Sequence, residues 1–213
     1  MLFIATLLCL ISPAKTQGTF AAPDPTHGAA AVPAALPPAS NAWNLWLGAP
    51  ELSMGYRQGF ALFELEARVA FDYFQAAGSV ESAARFRVFE KEKFLLAPFL
   101  GWGLLASSGA THLDKHNHGH FALQPRFGLW ATYAFTPHIS GIGLFDFPIR
   151  ISFAGNAFGL KPTTGAGAEF YLGNQWSVLW MAGLGPEWIQ RPSASVACRL
   201  AWYIRVGIGF RIS

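Results

Sequence analysis

Three groupings of residues in this chain could do chemistry. His116, His118 and His120 recur at every second position, so an extended strand would project their imidazoles to one side at a spacing that could take Zn²⁺, Cu²⁺ or Ni²⁺. His112 and Asp114 stand just upstream, and the plainer expectation for the whole run is a solvated polar loop. His138 and Ser140 form a His-x-Ser pair, the base and nucleophile of acyl chemistry. The nearest following carboxylate is Asp146, so the orienting acid of a triad is missing. The largest grouping is ionic: Arg68, Arg85, Arg87, Arg126, Arg150, Arg199, Arg205 and Arg211 against Glu64, Glu66, Asp72, Asp146, Glu169 and Glu187. The signs nearly balance, which suits charges that bridge one another in a confined interior; an ion filter would want one sign in excess.

Those charges must be positioned by strands. From Val196 to the end, Val196, Cys198, Leu200, Trp202, Ile204, Val206, Ile208, Phe210 and Ile212 alternate with Ala197, Arg199, Ala201, Tyr203, Arg205, Gly207, Gly209 and Arg211. A helix would scatter the three arginines around its circumference, whereas a strand puts them on one face. One wholly apolar face against one polar face fits a strand with lipid on one side and a polar lumen on the other. Phe63 to Tyr73 repeats the pattern, with Glu64, Glu66, Arg68 and Asp72 on the polar side. Further alternating segments begin at Arg85, Phe94, Phe121, Phe145, Ala166 and Trp176. Pro98, Pro125 and Pro148 fall inside them and suggest bulges, since proline cannot donate a ladder hydrogen bond.

Short connections at 58–59, 90–93, 136–138 and 173–175 alternate with longer ones at 75–82, 107–119, 153–162 and 190–193. Short turns on one rim and longer loops on the other belong to outer-membrane barrels. Eight strands follow from Ala61 onward, with a shorter one at Leu52 to Arg57 and a stub at Trp43 to Leu47. Closure with both ends on one side needs an even count, so the expected fold is all-β, a transmembrane antiparallel up-and-down barrel of eight or ten strands. The rival is a polytopic helical protein, because residues 94–113 carry no charge over a length that could span a bilayer. That segment holds Pro98, Gly101, Gly103 and Gly109, and charges at every second residue elsewhere would be costly in lipid-spanning helices.

Composition agrees. Hydrophobic residues make up 52% and aromatic residues 15%, more than one soluble core of this size would hold. A net charge of +3, dispersed through strand patterns, gives no footprint for nucleic acid. Residues 1–14 read as a secretory signal, with an apolar run from Leu2 to Ile11 and a small-x-small site at Ser12-Pro13-Ala14, or with cleavage as late as residue 21. Residues 15–42 are rich in proline and alanine and are expected to form a disordered periplasmic linker, leaving 43–213 as the barrel. Cys9 falls in the signal, so Cys198 would remain as a single thiol with no intrachain disulfide.

The chain's end resembles the assembly signal of bacterial outer-membrane proteins: polar Arg205, then Gly207, then hydrophobic Phe210 and Ile212, with Ser213 trailing. From about Trp43 onward the chain is similar to the small outer-membrane barrels, such as the transmembrane domain of outer membrane protein A. The resemblance implies location in the outer membrane of a Gram-negative bacterium, with outer-membrane lipid, the barrel assembly machinery and other envelope proteins as partners. It implies no cofactor. Its members include anchors, adhesins, small-solute conduits and lipid-modifying enzymes that use a His with a Ser. The expected function is a non-enzymatic barrel with a side-chain-plugged lumen and a structural, anchoring or surface-interaction role. Alternatives are a lipid A acyl hydrolase or transferase, or a narrow small-solute pore.

Overall fold

The computed structural model describes residues 30–32, 34–110, 119–153, 158–172, 175–190 and 196–212. Thirteen strands follow in order: β1 (Asn41–Ala49), β2 (Glu51–Gly59), β3 (Phe63–Asp72), β4 (Ala77–Phe86), β5 (Phe89–Lys91), β6 (Phe94–Ser108), β7 (Gly119–Leu123), β8 (Arg126–Thr136), β9 (Ile139–Ser152), β10 (Phe158–Leu160), β11 (Thr163–Tyr171), β12 (Trp176–Gln190) and β13 (Val196–Ile212). Every pairing is antiparallel, and β13 pairs both β12 and β1, so the sheet closes on itself. β4 and β5 both lie against β6, β7 and β8 both bridge β6 to β9, and β10 and β11 both bridge β9 to β12. Each of those couples is one interrupted stave, which makes a closed ten-stave barrel.

The exterior explains why these residues prefer strands. Leu45, Val69, Leu100, Phe127, Trp180, Leu200, Ile204 and Val206 are exposed, each flanked along its strand by residues that face inward. Among the described residues, the exposed charged side chains are Glu90, Lys91, Glu92 and Lys93, all at one turn. Aromatic pairs mark both edges of the apolar belt: Trp43–Tyr56 and Trp176–Phe210 near the short turns, Phe74–Trp202 and Phe121–Phe153 near the longer loops. An apolar band between aromatic girdles, around a polar interior, is the surface of a membrane-spanning barrel. No helix of the described residues is long and apolar enough to cross a membrane.

Several expectations need correction. The stub at Trp43 to Leu47 and the short strand at Leu52 to Arg57 are full staves, which settles the count above eight. The loop expected at 75–82 is mostly strand: β4 starts at Ala77, and Gly78, Ser82 and Ala84, which share its outward row with Val80 and Phe86, are too small or polar to give a continuous hydrophobic rhythm. Pro125 and Pro148 produce no bulge, whereas opposite Pro98 the pairing slips by one residue, from Arg85↔Phe99 to Phe89↔Leu96, as the sequence suggested. Gly103 and Gln124 exchange backbone hydrogen bonds beside Pro125, Pro148 keeps the register of its neighbours, and Pro98 keeps it on the β8 side only. In an antiparallel strand each residue's N–H serves one neighbour only, so Pro125 and Pro148 each forfeit one bond without displacing the ladder. The pairing also shifts between Ala134 and Thr136, and the slip opposite Pro98 falls where β4 passes to β5.

The largest correction concerns the linker. Within 15–42, Asn41 and Ala42 already belong to β1, and Ala30, Ala31, Val32, Ala34, Ala35 and Leu36 are buried, each at most 8% exposed. The prolines of 15–42 interrupt strand and helix, yet a segment of short side chains is what fits inside a narrow lumen. The signal at 1–14 lies outside the described residues.

Inside the barrel, Tyr203 of β13 lies across Gly183 of β12 and Gly165 of β11. A Cβ at Gly183 would come within 2.5 Å of Tyr203 Cε1, and one at Gly165 would overlap the phenol oxygen. Gly183→Val is therefore expected to lower unfolding stability in urea by about 1–3 kcal/mol through overpacking. Tyr203→Ala in the same chain should recover part of the loss, and equal losses with and without Tyr203 would contradict the contact.

Candidate functional site

The lumen is the one compartment in which this barrel gathers polar chemistry, and its half nearest the short turns is filled by the chain's own N-terminal segment. Residues 30–32 and 34–36 cross that half as a strap. The Glu169 carboxylate accepts the backbone N–H of Ala30 at 2.9 Å and those of Ala31 and Val32 at 2.8 Å each. Thr132 Oγ1 accepts from Ala34 N at 3.3 Å, and Glu64 Oε2 accepts from Leu36 N at 2.6 Å. Arginines take the opposite groups: Arg57 donates to the Ala30 carbonyl at 3.3 Å, and Arg87 to that of Ala35 at 3.2 Å. The strap makes no ladder of its own, so its backbone polarity is satisfied by lumen side chains, as burial requires. Past Leu36 it turns at the rim, where Ala39 N donates to Gly59 O and Gly59 N to Ser40 O, and enters β1.

Beneath the strap lies a wholly buried ion pair. Arg57 and Glu64 have no exposed side-chain surface and meet as a fork, Nε to Oε1 at 2.8 Å and Nη2 to Oε2 at 2.7 Å. Arg85 lies 3.6 Å from Glu64, also pairs with Glu66, and sits over the Trp130 ring at 4.7 Å. A second chain of charges runs through the other half. Arg68 contacts Glu51 at 3.5 Å and Glu81 at 2.7 Å, while Arg126 pairs with Glu81 and lies 2.5 Å from Asp146. Nearer the longer loops, Glu187 takes Arg150 at 3.1 Å and Arg199 at 2.6 Å. Around this second group the lumen opens into a cavity that is continuous with the outside.

Every residue expected in the charge network faces inward. Glu169 serves the strap and receives a hydrogen bond from Ser177, and Arg211 is buried near the end of β13. Arg205 lies between two rings, 4.5 Å from the Trp46 centroid and 4.6 Å from that of Tyr203. Three members were not foreseen: Arg57, Glu51 and Glu81. The first two sit in the strand expected to be short, and the third in the expected loop. The run Glu81, Ala83, Arg85, charged at both ends and read at every second residue, was the available signal.

The other candidate groupings are not brought together among the described residues. His116 and His118 lie outside the described residues, and His120 is in β7 opposite Ser107; no group of metal ligands forms among the described residues. The Ser140 hydroxyl, 1% exposed, lies 2.6 Å from the Tyr171 hydroxyl inside the barrel, while His138 is exposed at the rim. In the terminal motif, Phe210 packs against Trp176 at 4.6 Å, and Gly207 gives room to the Trp46 ring at 3.0 Å.

No protein-family model matches the chain, and no curated protein matches it in sequence. Among solved structures it is similar to the outer membrane protease OmpT from Escherichia coli, at 9% identity and a TM-score of 0.48 over 81% of this chain and 96% of that one. It is also similar to KdgM porin (12% identity, TM-score 0.40, 82% and 99% covered). A third is the N-terminal β-barrel domain of Pseudomonas aeruginosa OprF (10% identity, TM-score 0.32, 81% and 96% covered). The assignment as a membrane barrel rests on the closed ladder and the apolar exterior.

Proposed function

We propose that this chain is an integral outer-membrane β-barrel of a Gram-negative bacterium whose lumen is closed, and that it serves as an anchor or surface-interaction element and not as a conduit or an enzyme. The observation that carries this reading is the strap of residues 30–32 and 34–36, held across the lumen by Glu64, Thr132 and Glu169. With the short turns at 60–62, 92–93, 137–138 and 172–175 facing the periplasm, the strap closes the periplasmic half and the cavity faces outward. The terminal motif of Arg205, Gly207, Phe210 and Ile212 in β13 is the segment offered to the barrel assembly machinery. Closure of the barrel by the β13–β1 pairing makes that strand the last edge to be satisfied.

Planar-bilayer recording tests the closed lumen. The intact protein should give no steady conductance, and a variant lacking residues 30–36 should give measurable steps, because only charged pairs then remain across the opening. Steady, ion-selective steps from every preparation of the intact protein would overturn the closed reading. Recovery of the protein in an outer-membrane fraction, with gel mobility that shifts on boiling, checks the location and the barrel together.

A further inference from the structure

The outward cavity is lined by arginines, and one of them is treated differently from the rest. Arg68 is matched by Glu51 and Glu81, Arg126 by Glu81 and Asp146, and Arg150 by Glu187. Arg205 lines the same cavity with no carboxylate partner among the described residues. Its contacts are the two ring faces and one long donation to Met181 Sδ at 3.6 Å, and its Nε is buried with no acceptor. Beside it, the Tyr203 hydroxyl is likewise buried with no hydrogen-bond partner. Lys161 lines the same wall and has no ion pair among the described residues.

A guanidinium stacked between rings keeps its edge donors free, because cation–π contact uses the face of the group and not its N–H bonds. Unspent donors of one sign, in a chamber where every carboxylate but Asp72 already meets an arginine, define what would bind there. Asp72 is itself occupied, accepting the backbone N–H groups of Phe74 and Gln75 at 2.9 and 3.0 Å. A cation would meet no free carboxylate, whereas an oxyanion would receive the Arg205 fork and the Tyr203 hydroxyl at once. Trp46 and Met181, both buried against the strap, close the site from below.

We infer that the outward half of the lumen is a binding site for the carboxylate, sulfate or phosphate group of a small solute, with Arg205 as its principal donor, Tyr203 beside it and Lys161 as the second positive charge. The site faces the lumen and not the lipid, so a free solute and not a lipid headgroup is the occupant. The inference does not depend on which side of the membrane the cavity faces.

Calorimetric titration of sodium sulfate into the refolded full chain decides it, in maltoside micelles that carry no phosphate and at constant ionic strength set with chloride. Saturable heat is expected, lost or weakened at least about tenfold in Arg205→Met, as removal of a charge-assisted donor implies. Tyr203→Phe should weaken binding by roughly threefold, and Lys93→Gln, exposed at the far rim, should leave it unchanged. Each variant is first checked for boiling-dependent gel mobility. If Arg205→Met fails to fold, Tyr203→Phe and Lys161→Gln decide, and unchanged affinity in both overturns the site. Heat that never saturates, or full affinity in a folded Arg205→Met barrel, overturns it as well.

Discussion

Replacing Glu64 by alanine should cost this barrel about 3–5 kcal/mol of unfolding stability, the range seen when one partner of a buried ion pair is removed. Three groups lose their acceptor together. Arg57, with no exposed surface, keeps its charge but loses both bonds of its fork; Arg85 loses its 3.6 Å neighbour; and the Leu36 N–H loses its 2.6 Å acceptor. The penalty comes from stranding a charge and not from the net worth of the pair, which burial makes small. The double variant Arg57→Met with Glu64→Leu should therefore be more stable than Glu64→Ala alone. The two-residue coupling is measurable by urea unfolding of all four chains of the cycle. If Glu64→Ala changes stability by less than 1 kcal/mol, roughly the worth of an exposed pair, Arg57 must reach water in solution and the strap is not seated as described. Loss of the Leu36 contact should also loosen the strap, so this variant is the one in which to look for intermittent conductance.

What the sequence disclosed about this molecule follows the strength of alternation in each strand. β3 and β13 were legible because both faces carry large, unambiguous side chains: Phe71 and Val69 against Glu66 and Arg68, Trp202 and Ile204 against Tyr203 and Arg205. β4 was not, because Gly78, Ser82 and Ala84 interrupt the outward row of Val80 and Phe86, and a small residue facing lipid carries no hydrophobic signal. β1 and β2 were seen but shortened, and Arg57, the partner that makes sense of Glu64, stood at the last position of the expected short strand without being counted among the lumen charges. The strap was beyond local reasoning. Nothing in Ala30 to Leu36 records that three successive amides will be received by a carboxylate 137 to 139 positions away, since that depends on barrel closure bringing β11 around to face the N-terminus. The described residues there form no strand or helix, yet absence of secondary structure is not absence of a fixed place. Within the charge network, parity identified which residues enter the lumen. It could not identify which find a partner, because pairing between strands such as β4 and β8 depends on how the barrel is filled and not on strand register alone.

Val206→Arg should abolish efficient folding into liposomes and lower the stability of whatever folds by about 2–4 kcal/mol, the cost of arginine on a barrel's lipid face at mid-depth. Val206 is exposed and lies midway along β13 between Trp202 and Phe210, whose partners Phe74 and Trp176 belong to the two aromatic girdles. It is paired with Leu47 of β1 and Trp180 of β12, both exposed, so the new charge would meet hydrocarbon and apolar neighbours with no acid in reach. The same substitution one residue away would sit in the lumen, because strand parity exchanges the two environments completely. That sharpness makes thiol probes the best complement. In a Cys198→Ser background, single cysteines at 200, 202, 204, 206 and 208 should report lipid, and those at 201, 203, 205 and 207 should not. The prediction rests on the uninterrupted registers of β13 with β1 and β12, in which no bulge could shift the phase. Accessibility that recurs every three to four residues would signify a helix, and the closed ladder, the strap and the cavity would all be wrong with it.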